Sequence, residues 1–206
     1  MTNYYYSKAP DVHHQEYAWS FELRGQSLNF VTDNGVFSKH TVDFGTRTLL
    51  ATFSFANLPT GDILDVGAGY GPIGLTLAKE QPQRHVDLTD VNELALKLAK
   101  QNAARNHITN VTIFSSDQYS AVTKKYAAIV TNPPIRAGKK VVFGILAGAH
   151  AHLLPQGTLT VVIQKSKVHH QRNVKCSGSL AMCKYWLKIR AILFCKAFGR
   201  NDCVWG

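Results

Sequence analysis

The sequence predicts an α/β fold, a parallel sheet with helices on both faces. Three observations carry this. From about residue 60 to 165, short apolar runs alternate with amphipathic stretches of helix length, as crossovers between parallel strands require. The first run leads into a glycine-rich turn that opens a helix, a common arrangement where a parallel sheet meets a ligand. The second run ends in an acid, Asp90.

The elements follow in order. Asp62-Ile63-Leu64-Asp65-Val66 is a buried strand, and residues 72–81 are the next helix, with Pro72 in the first turn, where a missing N–H costs nothing. His85 to Asp90 is the second strand. Residues 92–106 form a helix whose apolar positions include Leu94, Leu96, Leu98 and Ala99. Val111 to Phe114 and Ala127 to Val130 are the third and fourth strands, 139–153 a helix, and Thr158 to Ile163 a fifth strand. Residues 1–59 are less periodic. Their aromatic punctuation (Tyr4 to Tyr6, Phe21, Phe30, Phe37, Phe44) and the turn signals at Asp33-Asn34-Gly35 and Phe44-Gly45 suggest a β-rich segment covering one sheet edge. No internal repeat or low-complexity linker interrupts the chain.

The length of 206 residues suits one domain with a proper core. No apolar run approaches the roughly 18 residues of a membrane span, and the first six residues lack a secretory pattern, so a soluble, cytoplasmic protein with no membrane partner is expected. The formal charge of +10 would ordinarily point to an anionic partner. It is unevenly spread. Residues 1–165 hold 15 basic and 12 acidic side chains, whereas residues 166–206 hold eight basic and one acidic. All four cysteines and two of the three tryptophans also lie in that last stretch. Two compositions share one chain.

Gly67-Ala68-Gly69-Tyr70-Gly71-Pro72-Ile73-Gly74 sits between strand and helix. Glycines let the backbone turn sharply and keep no Cβ between a ligand and the amide groups. Residues 69–74 satisfy G-x-G-x-x-G, so a dinucleotide site has to be weighed, though the motif alone is weak. Asp65 changes the balance: its carboxylate would repel a pyrophosphate but suits an ammonium or a sulfonium. Asp90 can accept two hydrogen bonds from ribose hydroxyls. Asp117, after the third strand on the same edge, can accept from an adenine amino group, although an exposed loop aspartate explains it nearly as well.

Thr131-Asn132-Pro133-Pro134-Ile135 ends the fourth strand. Two prolines stop the ladder and fix the backbone, and Pro133 biases Asn132 toward extended conformations. The Asn132 side chain and the Pro133 carbonyl can then accept both hydrogens of a planar amine and aim its lone pair at an electrophile, which is catalysis mainly by orientation. Alone, Asn-Pro-Pro is only a turn. Its order after Asp65, the glycine loop and Asp90 makes a turn an insufficient explanation.

With these residues in hand, the chain resembles the class I S-adenosylmethionine-dependent N-methyltransferases. More narrowly it is similar to the short, single-domain bacterial proteins related to the 16S ribosomal RNA guanine-N2 methyltransferase C family. The resemblance is carried by Leu64 to Gly74, Thr131 to Lys139, Thr32 to Lys39 and Val42-Asp43-Phe44-Gly45-Thr46, and it runs from about residue 4 to 165. It implies a Rossmann-like class I methyltransferase sheet preceded by a β-rich N-terminal segment. Its cofactor would be S-adenosyl-L-methionine, with Gly67, Gly69 and Gly71 lining the methionine part, Asp65 near its cationic groups, Asp90 at the ribose and Asp117 at the adenine. Asn132, Pro133 and Pro134 would orient the exocyclic amine of a guanine in ribosomal RNA or the small ribosomal subunit. Related Asn-Pro-Pro enzymes often have an aromatic next. Ile135 offers only an apolar face, which leaves stacking to Phe37. Arg136, Lys139 and Lys140 would meet phosphates, or form a solvated face. A target base inside a helix would have to be flipped out or already unpaired. The alternatives are methylation of a protein glutamine amide, which Asn-Pro-Pro serves equally well, and an inactive remnant. No metal is expected.

After Lys165 the resemblance stops. Ser166 to Asn173 back-translates as AGC AAG GTG CAC CAT CAG CGA AAC. Regrouped with the last A of the Lys165 codon, it reads Lys-Gln-Gly-Ala-Pro-Ser-Ala-Lys, the continuation the family resemblance implies. Trp186 to Cys195 regroups to Leu-Ala-Lys-Asp-Lys-Gly-Tyr-Phe-Ile-Leu, a turn followed by a strand. One base lost from a run of A accounts for both, and residues 166–206 are expected to be an out-of-frame tail. Spacings of 7, 12 and 8 between the cysteines fit no zinc pattern, and a basic amphipathic helix over 180–198 carries little weight beside the regrouping. The closing helix and strand pair of the fold should then be missing or non-native, leaving a sheet edge open.

Overall fold

The computed structural model describes residues 13–133, 138–164 and 192–198. Among the described residues, eight strands and four α-helices run in the order β1 (Glu16–Leu23), β2 (Gln26–Asp33), α1 (Phe44–Thr52), β3 (Ile63–Val66), α2 (Pro72–Glu80), β4 (Val86–Asp90), α3 (Glu93–Arg105), β5 (Val111–Ser115), β6 (Tyr126–Thr131), α4 (Lys139–Gly148), β7 (Leu153–Gln164) and β8 (Ile192–Phe198). The main sheet has the order β5-β4-β3-β6-β7-β8. Its first five strands are parallel and β8 runs antiparallel to β7.

This order has a direct consequence. The chain moves outward from β3 through β4 to β5, then returns to β6 on the other side of β3. Right-handed crossovers therefore put α2 and α3 on one face and α4 on the other. The packing agrees. Ile63 of β3 and Ala128 and Val130 of β6 join a core with α2, α3, α1 and the β1–β2 hairpin. Leu64 and Val66 of β3 and Ile129 of β6 join a second core with Ile145 of α4. The alternation along each strand is the period of two that a sheet buried on both faces requires. Where the direction reverses, the carboxyl ends of β3 and β6 flank a crevice, the usual ligand site of such sheets.

The core elements lie where the sequence expects them, with three differences. The helix expected over 139–153 ends at Gly148 and finishes in a 3-10 turn over Ala149–His152. The last parallel strand starts at Leu153, well before Thr158, and carries a register shift opposite Tyr126 and Ala128. The closing strand pair was expected to be missing or non-native; at one of its positions β8 pairs with β7 from Thr158↔Phe198 to Gln164↔Ile192, so that edge of β7 is not open.

The N-terminal segment needs a correction. It is β-rich only in part, because α1 fills Phe44–Thr52. Nor does it cover a sheet edge. The β1–β2 hairpin is a separate two-stranded sheet lying over α2 and α3. Two α3 asparagines explain why. Asn102 accepts from the Val31 N–H (2.7 Å) and donates to the Val31 carbonyl (3.1 Å), and Asn106 does the same for Asn29 at 2.8 Å in each direction. Alternate residues of a strand and residues four apart on a helix recur at similar spacing. Two amide side chains thus satisfy the strand's outward backbone groups as a neighbouring strand would. Among the described residues no helix is long and apolar enough to cross a membrane.

Candidate active site

The crevice is built from four loops at the carboxyl ends of β3, β4, β5 and β6. In the glycine loop, Gly67, Gly69 and Gly71 all have positive φ, which side chains other than glycine rarely adopt. Gly69 is the telling one: a Cβ added there would meet nothing within 4 Å. Its side faces open space, as a surface approached closely by a ligand must. Gly74 is tight for a different reason. A Cβ there would lie 2.6 Å from Leu88 Cγ, so its absence lets α2 sit down on β4.

Asp65 alternates with Leu64 and Val66 and so faces the α2 side, where its carboxylate accepts the Gly74 N–H at 2.8 Å. Its other oxygen, Oδ1, is buried with no hydrogen-bond partner among the described residues. Burial, with the nearby Asp90 charge adding to it, pushes this carboxyl up to about 7, and the Gly74 N–H opposes the shift. An orphaned buried carboxylate oxygen beside an open glycine cradle fits a ligand bearing positive charge. It does not fit a pyrophosphate.

Asp90 ends β4 and accepts from the N–H groups of Gly69 (2.8 Å) and Asn92 (2.9 Å). Burial raises its carboxyl despite those donors. It opposes Ser115 across the β4–β5 ladder, which brings Asp117, two residues further on, to the same edge. Asp117 is exposed, and its N–H donates to Ser120 Oγ at 3.1 Å.

Asn132 follows β6. The preceding Thr131 donates its hydroxyl to the Val66 carbonyl at 2.7 Å, tying the Asn132-Pro133 step to the start of the glycine loop. Asn132 is half-buried, and its Nδ2 donates to Asp43 Oδ1 (3.1 Å), Asp43 Oδ2 (3.3 Å) and Thr46 Oγ1 (3.1 Å). Asp43 is also the N-cap of α1, accepting from Gly45 and Thr46 N–H. Pro133 is buried. Phe37 is half exposed on the loop before α1, the loop whose Ser38 and Thr41 carbonyls lie 3.5 Å from the Tyr70 hydroxyl. Lys139 is exposed at the start of α4. Pro134, Ile135 and Arg136 lie outside the described residues.

The structure therefore brings Asp65, Gly67, Gly69, Gly71, Asp90 and Asn132 around one crevice, with Asp117 on its rim. Sequence reasoning missed Asp43, Thr46 and Thr131. Asp43 carried a readable signal, an N-cap acid before Thr46, Leu49 and Leu50 at helical spacing. The hydroxyl bonds of Thr46 and Thr131 join elements distant in sequence, and no local pattern shows them.

A parallel sheet reversing at this crevice, an open glycine cradle with cation-accepting acids, and an Asn-Pro turn opposite define a class I S-adenosylmethionine-dependent methyltransferase. The particular family follows from comparison: the chain belongs to the methyltransferase small domain family, whose model matches residues 27–183. That match runs past residue 165. Among relatives, the chain is 48% identical over 169 residues to the uncharacterized protein YbxB of Bacillus subtilis, covering 81% of this chain and 84% of that one. It is 39% identical over 132 residues to ribosomal RNA small subunit methyltransferase C of Aeromonas hydrophila, covering 62% of this chain but 37% of the relative. In fold it is similar to a T. thermophilus 16S rRNA N2 methyltransferase (RsmC) solved with AdoMet and guanosine. The TM-score is 0.73 and the identity 24%, over 93% of this chain and 53% of that one. The chain thus spans about half or less of the length of these two methyltransferases.

Proposed function

We propose that this chain methylates the exocyclic N2 amine of a guanine in small-subunit ribosomal RNA, in the cytoplasm. The single observation that carries the proposal is the Asn132–Pro133 turn, fixed by Thr131 at the carboxyl end of β6, across the crevice from the glycine loop. Two acceptors on a rigid turn suit a planar amine with two hydrogens. They align its lone pair without a strong base. The names of the relatives support RNA as the acceptor, and Ile135 in place of an aromatic favours RNA over a glutamine amide.

The roles divide by element. Gly67, Gly69 and Gly71 would hold the methionine part of the cofactor, Asp65 its positive charge, Asp90 the ribose and Asp117 the adenine. Bound there, S-adenosylmethionine supplies a methyl carbon made electrophilic by its sulfonium. Asn132 Oδ1 and the Pro133 carbonyl orient the amine, Pro134 stiffens the turn, and Ile135 and Phe37 offer apolar surface to the base. Arg136 and Lys139 contact phosphates. Tritiated methyl transfer is the test, with small ribosomal subunits and release factors offered side by side. Label in the RNA is expected. Label in a release factor would establish the glutamine reading, and a folded, cofactor-binding chain that labels neither would be a remnant.

A further inference from the structure

We infer that Asp43 is a positioning residue, which sets the direction of the Asn132 amide and thereby restricts the acceptor to a hydrogen-donating nitrogen. The inference rests on the reading that Asn132 receives the acceptor amine. Asparagine is ambiguous as a recognition group, since one end accepts and the other donates. Which end faces the crevice decides what it can recognise. The backbone at Asn132-Pro133 fixes where the side chain starts but not which way its amide turns.

Asp43 supplies the missing instruction. A carboxylate only accepts, so the atom of Asn132 nearest it must be Nδ2, and both Asp43 oxygens lie within 3.3 Å of that atom. Thr46 Oγ1 accepts from the same nitrogen at 3.1 Å. A flipped amide would set its oxygen against both carboxylate oxygens with no proton between them. Among the described residues Oδ1 of Asn132 has no partner, so it is the end left for an incoming amine. Asp43 cannot easily turn away, because its Oδ1 also caps α1 through Gly45 N–H (2.9 Å) and Thr46 N–H (3.2 Å). Gly45 makes the approach possible: a Cβ there would lie 3.0 Å from Asp43 Oδ1 and 3.4 Å from Asn132 Nδ2. One acid thus begins a helix and orients a side chain 89 positions further along the chain.

Serine at position 43 separates the two duties, since its hydroxyl caps a helix well but carries no second oxygen and no charge for Asn132. For Asp43→Ser the turnover number should fall about 10²-fold, with the KM for S-adenosylmethionine and the melting temperature little changed. Combined with Asn132→Ala it should cost nothing further, because the two act as a unit. The Asn132 side-chain amide, followed by nitrogen-15 NMR, gives a readout that needs no substrate. Its protons should be protected from exchange in the natural chain and released in Asp43→Ser. Wild-type turnover in Asp43→Ser, multiplying losses in the double variant, or an Asn132 amide unaltered by the substitution would each overturn the inference. If the natural chain fails to methylate ribosomal RNA while its Asn132 amide is protected, the substrate reading falls and the role of Asp43 stands.

Discussion

Asp65 is the buried side chain through which pH is expected to reach the ligand site. Its carboxyl sits near 7 in the folded chain against an ordinary 3.8, so the folded state holds this proton more tightly than the unfolded state. Its contribution to the stability of the unliganded chain is full below about pH 4 and is lost as the pH rises through about 7. Binding of a cation runs the other way, because it needs the carboxylate. Affinity for S-adenosylmethionine should fall as the pH drops below about 7, by up to about tenfold per pH unit, with proton release on binding. In Asp65→Asn both effects should vanish, as calorimetry in buffers of different ionisation enthalpy will show; an unchanged pH profile would refute the assignment. At this scale the sequence was informative about residue types that need a particular place on a strand end. Asp65, Asp90 and Asn132 were legible because each lies within one residue of a strand's carboxyl end. Asp43, Thr46 and Thr131 act through contacts across 65 to 89 positions, which periodicity does not encode.

Among the elements, the parallel strands were legible because burial on both faces demands unbroken apolar runs such as Tyr126 to Val130, all buried. Helix α1 was not. Its Gly45 and three threonines are poor helix formers, and packing of Leu49 and Leu50 with the Asp43 cap overrides that preference. The β-rich N-terminal segment was expected to cover a sheet edge, but its β1–β2 hairpin lies over α2 and α3. Asn102 and Asn106 stand in for the partner strand instead. Asn102→Ala would leave the Val31 N–H and carbonyl and the Tyr70 carbonyl without their side-chain partner. About 1–3 kcal/mol of stability should be lost per buried group left unpaired. Because Tyr70 lies in the glycine loop, cofactor affinity should fall as well. Denaturant unfolding checks the first effect, and a loss below about 0.5 kcal/mol would show that the hairpin docks by its apolar face alone.

For the whole molecule, the charge of +10 reads differently once divided. Residues 1–165 are nearly balanced, and the case for an RNA acceptor rests on Asn132-Pro133 and on the relatives, not on net charge. We propose that the basic, cysteine-bearing stretch after residue 165 follows a lost base, against which stands the family match that continues to residue 183. Resequencing the gene tests this directly, since a missing A near the Lys165 codon is expected and an intact in-frame series would end the idea. Repairing the frame should raise the melting temperature. β8 nevertheless shows that Ile192–Phe198 closes the β7 edge, because an open ladder recruits apolar runs of strand length. The central claim is that the glycine-loop crevice holds S-adenosylmethionine facing Asn132, and titration calorimetry with that cofactor tests it most directly. Saturable binding to the natural chain, abolished in Gly69→Val and retained in Asn132→Ala, is the predicted result. Binding by Gly69→Val as tight as that of the natural chain would contradict it.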